Sequence, residues 1–253
     1  MIIIQRQNMI NRYLKYKLLV LLVFISFFLQ INSINAQTES EKYFASAFGK
    51  YQNKDYYGAL IDYNHAIRNN PVNYKLYLCR SIVYIELQEY TKAMADLDTA
   101  MKYEINDAEI HFYLAYIAYK NNNDSSALKS FDRAIVLKPD YAEAFYYKSM
   151  IMLSRKDTLA AIKFLDTAIM VSNEEFMYYF KRAKIYYQKG NYENASYNFK
   201  KCTELRPANS ESYYNLGMSN YKLKNYEEAC ENWYQASKLG NTAARKAIIN
   251  YCR

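Results

Sequence analysis

The chain has 253 residues, with 33 basic and 25 acidic side chains, a formal charge of +8, and 30 Tyr and 12 Phe against 5 Gly and 3 Pro. So little Gly and Pro argues against a strand-and-turn architecture and for helices. Arg6, Arg12, Lys15 and Lys17 fall in the first 36 positions with no acidic residue among them, and the mild excess of about +4 left for the rest excludes a nucleic-acid surface.

The N-terminus reads as an export signal. Residues 1–17 are basic, residues 18–29 are apolar throughout apart from Ser26, and the stretch from Gln30 to Ala36 turns polar and ends in the cleavage-like tripeptide Ile34-Asn35-Ala36. That is the n-region, h-region and small-residue site of a secretory signal. The apolar run is short for a bilayer span, which needs about 20 residues. The expectation is a signal peptide over 1–36, cleaved after Ala36, and a periplasmic or secreted chain. The alternative is an uncleaved segment anchoring the chain in the membrane through residues 18–29.

The remaining 37–253 opens on Thr38-Glu39-Ser40-Glu41, which has the pattern of a capping box for a first helix. From there one hairpin recurs. The residues from Ala108 to Tyr141 form two apolar-periodic runs joined by Lys120-Asn121-Asn122-Asn123-Asp124 and closed by Pro139. Stepping by 34 from Ala127 reaches Ala59, Ala93, Ala161, Ala195 and Ala229. From Ala134 the same step reaches Ala66, Ala100, Ala168, Cys202 and Ala236. From Phe131 it reaches Tyr63, Leu97, Leu165, Phe199 and Trp233, while Pro139 recurs as Pro71 and Pro207. Small beside large is what two antiparallel helices need for close approach. An internal repeat of this length decides the fold.

The register resembles the tetratricopeptide repeat, a 34-residue helix–turn–helix unit. Tyr213, Leu216-Gly217, Tyr221, Tyr226, Ala229, Trp233 and Ala236 fall where that family expects large, Leu-Gly, Tyr, Tyr, Ala, aromatic and Ala. The family Trp is replaced by Tyr43, Tyr77, His111, Phe145, Tyr179 and Tyr213, and the family Pro by Ile105, Asn173 and Asn241. Six repeats starting at Ser40, Tyr74, Ala108, Ala142, Phe176 and Ser210 give a right-handed all-α solenoid. The turns inside the repeats are polar, and Gly190 is placed for a left-handed helix end.

What the resemblance implies is a binding scaffold. In that family the first helix of each repeat faces the concave side at the positions one, four, eight and eleven after the repeat start. The last three give Phe44, Phe48 and Tyr51; Leu78, Ile82 and Ile85; Phe112, Tyr116 and Tyr119; Tyr146, Met150 and Leu153; Phe180, Lys184 and Tyr187; Tyr214, Met218 and Tyr221. All but Lys184 are apolar or aromatic, more than packing one stripe of a helix requires. Two readings stand: burial between adjacent first helices, or an aromatic trough for a peptide. Family members that clamp a C-terminal carboxylate use Lys, Asn and Arg here, so Lys184 alone disfavours that mechanism.

After Leu239-Gly240-Asn241 a last helix over 242–251 has no sequel and should cap the solenoid. Cys230 and Cys252 lie at similar distances either side of that turn, so antiparallel helices bring them to one height. They read as a disulfide or as two buried thiols. Cys79 and Cys202 have no partner in this scheme.

Nothing carries catalytic chemistry. His111 stands where other repeats place Tyr or Phe and should pack, and His65, beside Ala66, should face solvent. No metal-ligand spacing, phosphate loop or nucleophile motif occurs, so no metal or cofactor is expected. The pairs Glu174-Glu175 and Glu227-Glu228 read as helix-start charges. The expected function is non-catalytic protein–protein binding of a peptide or partner helix, with no nucleic acid. The alternative is a structural subunit of an envelope assembly whose groove is filled by its own N-terminal helix or another copy.

Overall fold

The alanine ladder is buried at every step. Ala59, Ala93, Ala127, Ala161, Ala195 and Ala229 have no exposed surface at all, nor do Ala66, Ala100, Ala134, Ala168, Cys202 and Ala236. In the computed structural model, which describes residues 35–252, these positions sit on the second helix of each hairpin. The fold is all-α and of the repeat-solenoid class, with no strand among the described residues. The expected signal segment, its cleavage site up to residue 34 and the apolar run over 18–29 lie outside the described residues. No described helix is long and apolar enough to cross a membrane.

The chain forms two compact units, one ending at Ile110 and one starting at His111. The N-terminal unit holds α1 (residues 35–52), α2 (Tyr56–Asn69), α3 (Tyr74–Glu86) and α4 (Tyr90–Tyr103). Helix α5 (Ala108–Lys120) crosses the boundary. The C-terminal unit continues through α6 (Asp124–Leu137), α7 (Ala142–Ser154), α8 (Thr158–Val171), α9 (Phe176–Gln188) and α10 (Tyr192–Leu205), and then α11 (Ser210–Lys222), α12 (Tyr226–Lys238) and α13 (Thr242–Tyr251).

Helix ends follow local chemistry. Asp55, Asn123, Asp157 and Asn191 each accept a hydrogen bond from the backbone N–H three residues on, starting the second helices. Each first helix ends in one left-handed residue. Lys54, Gln88, Asn122, Lys156 and Lys224 have φ between +57° and +67°, and Gly190 has +76°. Only Gly190 adopts this region without a steric cost.

The expected capping box at 38–41 is overturned. Those residues lie inside α1, which is already helical at 35, so none of them stands at the N-cap. Ser40 is buried and donates from its hydroxyl to the Ala66 carbonyl at 2.9 Å.

Packing across each hairpin is matched in size. The seventh residue after each repeat start is Ala47, Ser81, Ala115, Ser149, Ala183 or Gly217, each buried. The large residue of the same hairpin is respectively Tyr63, Leu97, Phe131, Leu165, Phe199 or Trp233, none more than 1% exposed. Alanine accompanies Tyr or Phe, serine accompanies Leu, and glycine accompanies Trp. Ser81 and Ser149 satisfy their hydroxyls on the carbonyls of Leu78 and Tyr146, at 2.6 and 2.5 Å. Each large side chain so buried contributes about 1.5–3 kcal/mol.

Polar ties run from the first helices to the second helices, and those of Arg80 and Arg182, each just before the small residue, bridge two neighbouring second helices. In the N-terminal unit the Arg80 guanidinium holds Asp96 through Nε (2.7 Å) and Nη2 (2.6 Å) and reaches Asn64 through Nη1 (2.5 Å). Asp62 is held by Lys50 at 2.7 Å and by the Ser46 hydroxyl at 2.6 Å. In the C-terminal unit Arg182 links Asp166 (2.5 Å) to Asn198 (2.9 Å), and Lys148 reaches Asp132 at 2.6 Å.

Candidate functional site

The first helices of the C-terminal unit bring four of the thirteen expected groove residues, Phe112, Tyr116, Tyr119 and Tyr146, to one aromatic cluster. Its centre is Tyr147, which the step of 34 did not single out. Its ring lies 5.2 Å from Tyr116, 5.3 Å from Tyr146, 5.5 Å from Tyr119, and 5.9 Å from both Phe112 and Phe131. Such centroid spacings are those of favourable aromatic pairs. The position five after the repeat start is Ala45, Cys79, Tyr113, Tyr147, Lys181 and Asn215 down the chain, so no periodicity marks it. Tyr178, buried, adds a ring 5.3 Å from Tyr146.

The thirteen candidates divide by exposure. Phe112 and Phe180, at 7% and 8% exposed, belong to the core and not to an open lining. Phe112 stacks on Tyr141 at 4.7 Å and meets Phe131 at 5.7 Å, while Phe180 meets Phe176 at 5.3 Å and Phe199 at 5.8 Å. Both point against the large residue of their own hairpin, which closes them off. Tyr116, Tyr119, Tyr146, Met150, Tyr187, Tyr214 and Tyr221 are half-buried, with part of each side chain open. Lys184 is exposed, 5.4 Å from the Phe180 ring and 3.5 Å from a Glu211 carboxylate oxygen. In the N-terminal unit Phe44 and Tyr51 are half-buried and Phe48 is 47% exposed. Phe44 also lines a small cleft with Ser40, Asn70 and Leu76.

Burial governs the titration of this face. It pushes the Tyr146 hydroxyl up to about 12, and the tyrosine and carboxylate neighbours Tyr119 and Glu175 add to it. Tyr147 and Tyr178 are raised by burial too, Tyr178 further by Glu143 and Glu175. All three stay neutral and donate or accept hydrogen bonds without ionising near neutrality.

Elsewhere the histidine expectation changes. His65 is half-buried and stacks on Tyr43 at 4.9 Å, since Tyr43 stands at the large position of the first repeat and covers the imidazole. Cys230 and Cys252 form a disulfide that ties α12 to the end of α13, and Cys79 and Cys202 are free thiols.

Family models described as tetratricopeptide repeat match residues 108–141 and 210–239, and one described as TPR repeat matches 183–224. The chain is a tetratricopeptide-repeat protein. Tetratricopeptide-repeat structures resemble it along most of its length. The structure titled for pilF of Pseudomonas aeruginosa superposes with a TM-score of 0.73 at 14% identity, covering 85% of this chain and 99% of that one. PilW, titled a type IV pilus biogenesis factor, gives 0.68 at 19% identity, covering 83% and 98%. YrrB, titled a TPR protein with an unusual peptide-binding site, gives 0.57 at 19% identity, covering 73% and 96%. No curated protein matches the chain in sequence. At these identities the likeness is one of fold. The tetratricopeptide repeats make the chain a protein–protein interaction scaffold, of a fold that typically serves without catalysis.

Proposed function

We propose that the chain binds a peptide or partner helix, without catalysis, on the half-buried aromatic face of its first helices in the C-terminal unit. The observation that carries this reading is the cluster of half-buried rings in which Tyr116, Tyr119 and Tyr146 gather around Tyr147. Tyrosines held by a packed neighbour are pre-organised, so they offer contact area at little entropic cost. Phe112, buried against Phe131 and in ring contact with Tyr147, supports the face from beneath. The peptide-binding site named for YrrB belongs to that protein, and its likeness to this chain extends to the fold alone.

The reading includes export: residues 1–36 act as a signal, and the chain works in the periplasm or outside the cell. The Cys230–Cys252 disulfide supports an oxidising compartment.

Panning a random peptide library on the chain tests the binding claim. Enriched peptides should bind in the micromolar range and lose about tenfold or more in affinity on Tyr116→Ser with Tyr119→Ser. Peptides that bind this variant unchanged would remove the site from this face.

A further inference from the structure

At its C-terminal end the chain carries a second, separate surface. An open cleft of about 450 Å³ lies between one face of α12 and the end of α13, lined by Tyr226, Glu227, Cys230, Glu231, Tyr234, Tyr251 and Cys252. We propose that this cleft binds the guanidinium of a partner protein's arginine, between tyrosine rings and two carboxylates.

The lining is laid out by helical spacing. Tyr226, Cys230 and Tyr234 follow at intervals of four on α12 and share a face, with Glu227 and Glu231 on the adjacent row. The disulfide from Cys230 fixes Cys252, and with it Tyr251, against that face. Tyr221 underlies the arrangement, its ring 5.3 Å from Tyr226 and 4.7 Å from Tyr251, so two walls rest on one half-buried support.

The chemistry selects a cation. Tyr226, Tyr234 and Tyr251 are each 50% or more exposed, offering ring faces to a partner. A tyrosine face attracts a cation through its quadrupole, and a planar guanidinium can stack on it while its N–H groups reach a carboxylate. Glu227 and Glu231 are exposed and have no ion-pair or hydrogen-bond partner among the described residues. No Lys or Arg is among the described residues that line the cleft. The C-terminal end of α13 contributes the negative pole of its helix on the same side, which again favours a positive guest. An apolar guest would leave both carboxylates unused, and an anion would meet only repulsion.

The test titrates the full chain with N-acetyl-arginine amide and with its neutral isostere N-acetyl-citrulline amide, followed by NMR shifts at α12 and α13. Arg253 follows Cys252 in sequence and lies outside the described residues, so the Arg253→Gln chain is titrated in parallel. Saturable arginine binding on the order of 1–10 mM, with citrulline about tenfold weaker, is expected in at least one of the two chains. In that chain Glu231→Gln and Tyr234→Ala should each weaken arginine binding several-fold. Both residues are exposed, and unchanged far-UV circular dichroism verifies the fold. Equal binding of the two probes, affinity indifferent to both substitutions, or no saturable shift in either chain would overturn the proposal.

Discussion

A methyl group on Gly217 would stand 2.6 Å from Cδ1 and Nε1 of Trp233 and 2.9 Å from the Ala229 carbonyl oxygen. The indole is fully buried, and its Nε1 donates to the Tyr214 carbonyl at 3.3 Å, so it has little room to move aside. Gly217→Ala should therefore lower stability by about 1–3 kcal/mol. Trp233 is the chain's single tryptophan, so a red shift of its emission reports the displacement directly. Adding Trp233→Phe should recover most of the loss, because Ala accompanies Phe in two other hairpins. A double-mutant cycle with no coupling between the two positions would refute the size match.

Arg80 in the N-terminal unit makes a different kind of commitment. Among the described residues its guanidinium is the one ion-pair partner of Asp96, whose side chain is 7% exposed. Removing the arginine leaves a nearly buried carboxylate unpaired. Arg80→Ala should cost roughly 2–3 kcal/mol in urea unfolding. Arg80→Lys should recover only part of it, because an ammonium cannot hold Asp96 with two nitrogens and Asn64 with a third.

Alkaline pH should destabilise the chain. Burial pushes the Cys79 thiol up to about 11, Cys202 up to about 12 and Tyr146 up to about 12. Tyr74 is raised to about 12 by burial and by its hydrogen bond to Asp107. Unfolding returns these groups to ordinary values near 9 and 10, so above that range the unfolded state binds fewer protons than the fold. Stability then falls with rising pH, while below about pH 8 these groups contribute no slope. Thermal melts should give a plateau near neutrality and a steep decline between pH 9 and 11. Absorbance at 295 nm should show part of the tyrosine titration delayed until unfolding.

The disulfide joins residues 22 apart, and closing such a loop is worth about 3 kcal/mol. Cys252→Ser and reduction of the parent chain should lower the melting temperature by similar amounts. Thiol titration of the oxidised, denatured chain should find Cys79 and Cys202 alone reactive. Four reactive thiols in chain recovered from its native compartment would count against export.

The fold class could be read from the sequence because burial enforces it. A helix backbone approaches another closely only over a small side chain, and Ala127 with its partners keeps that size at every period. Other features left no periodic mark. Lys54, Gln88 and Lys156 turn left-handed although none is a glycine, because the hairpin geometry imposes that conformation on whatever residue falls there. Tyr147 gathers the aromatic face yet has no counterpart in most repeats. Phe112 and Phe180 occupy concave positions by count, but their direction depends on the bulk of Phe131 and Phe199 in the partner helix. The capping pattern at 38–41 misled because a capping box and the interior of a longer helix can share the same residues.

Chains made of near-identical hairpins can misfold by docking one period out of place. In the C-terminal unit that error has a local penalty at every step. Seating Ala183 against Trp233 would put a methyl where the indole tolerates none, and seating Gly217 against Phe199 would leave a hole. Matched volumes thus act as addresses, letting each helix recognise its own place among look-alikes while the chain is still assembling.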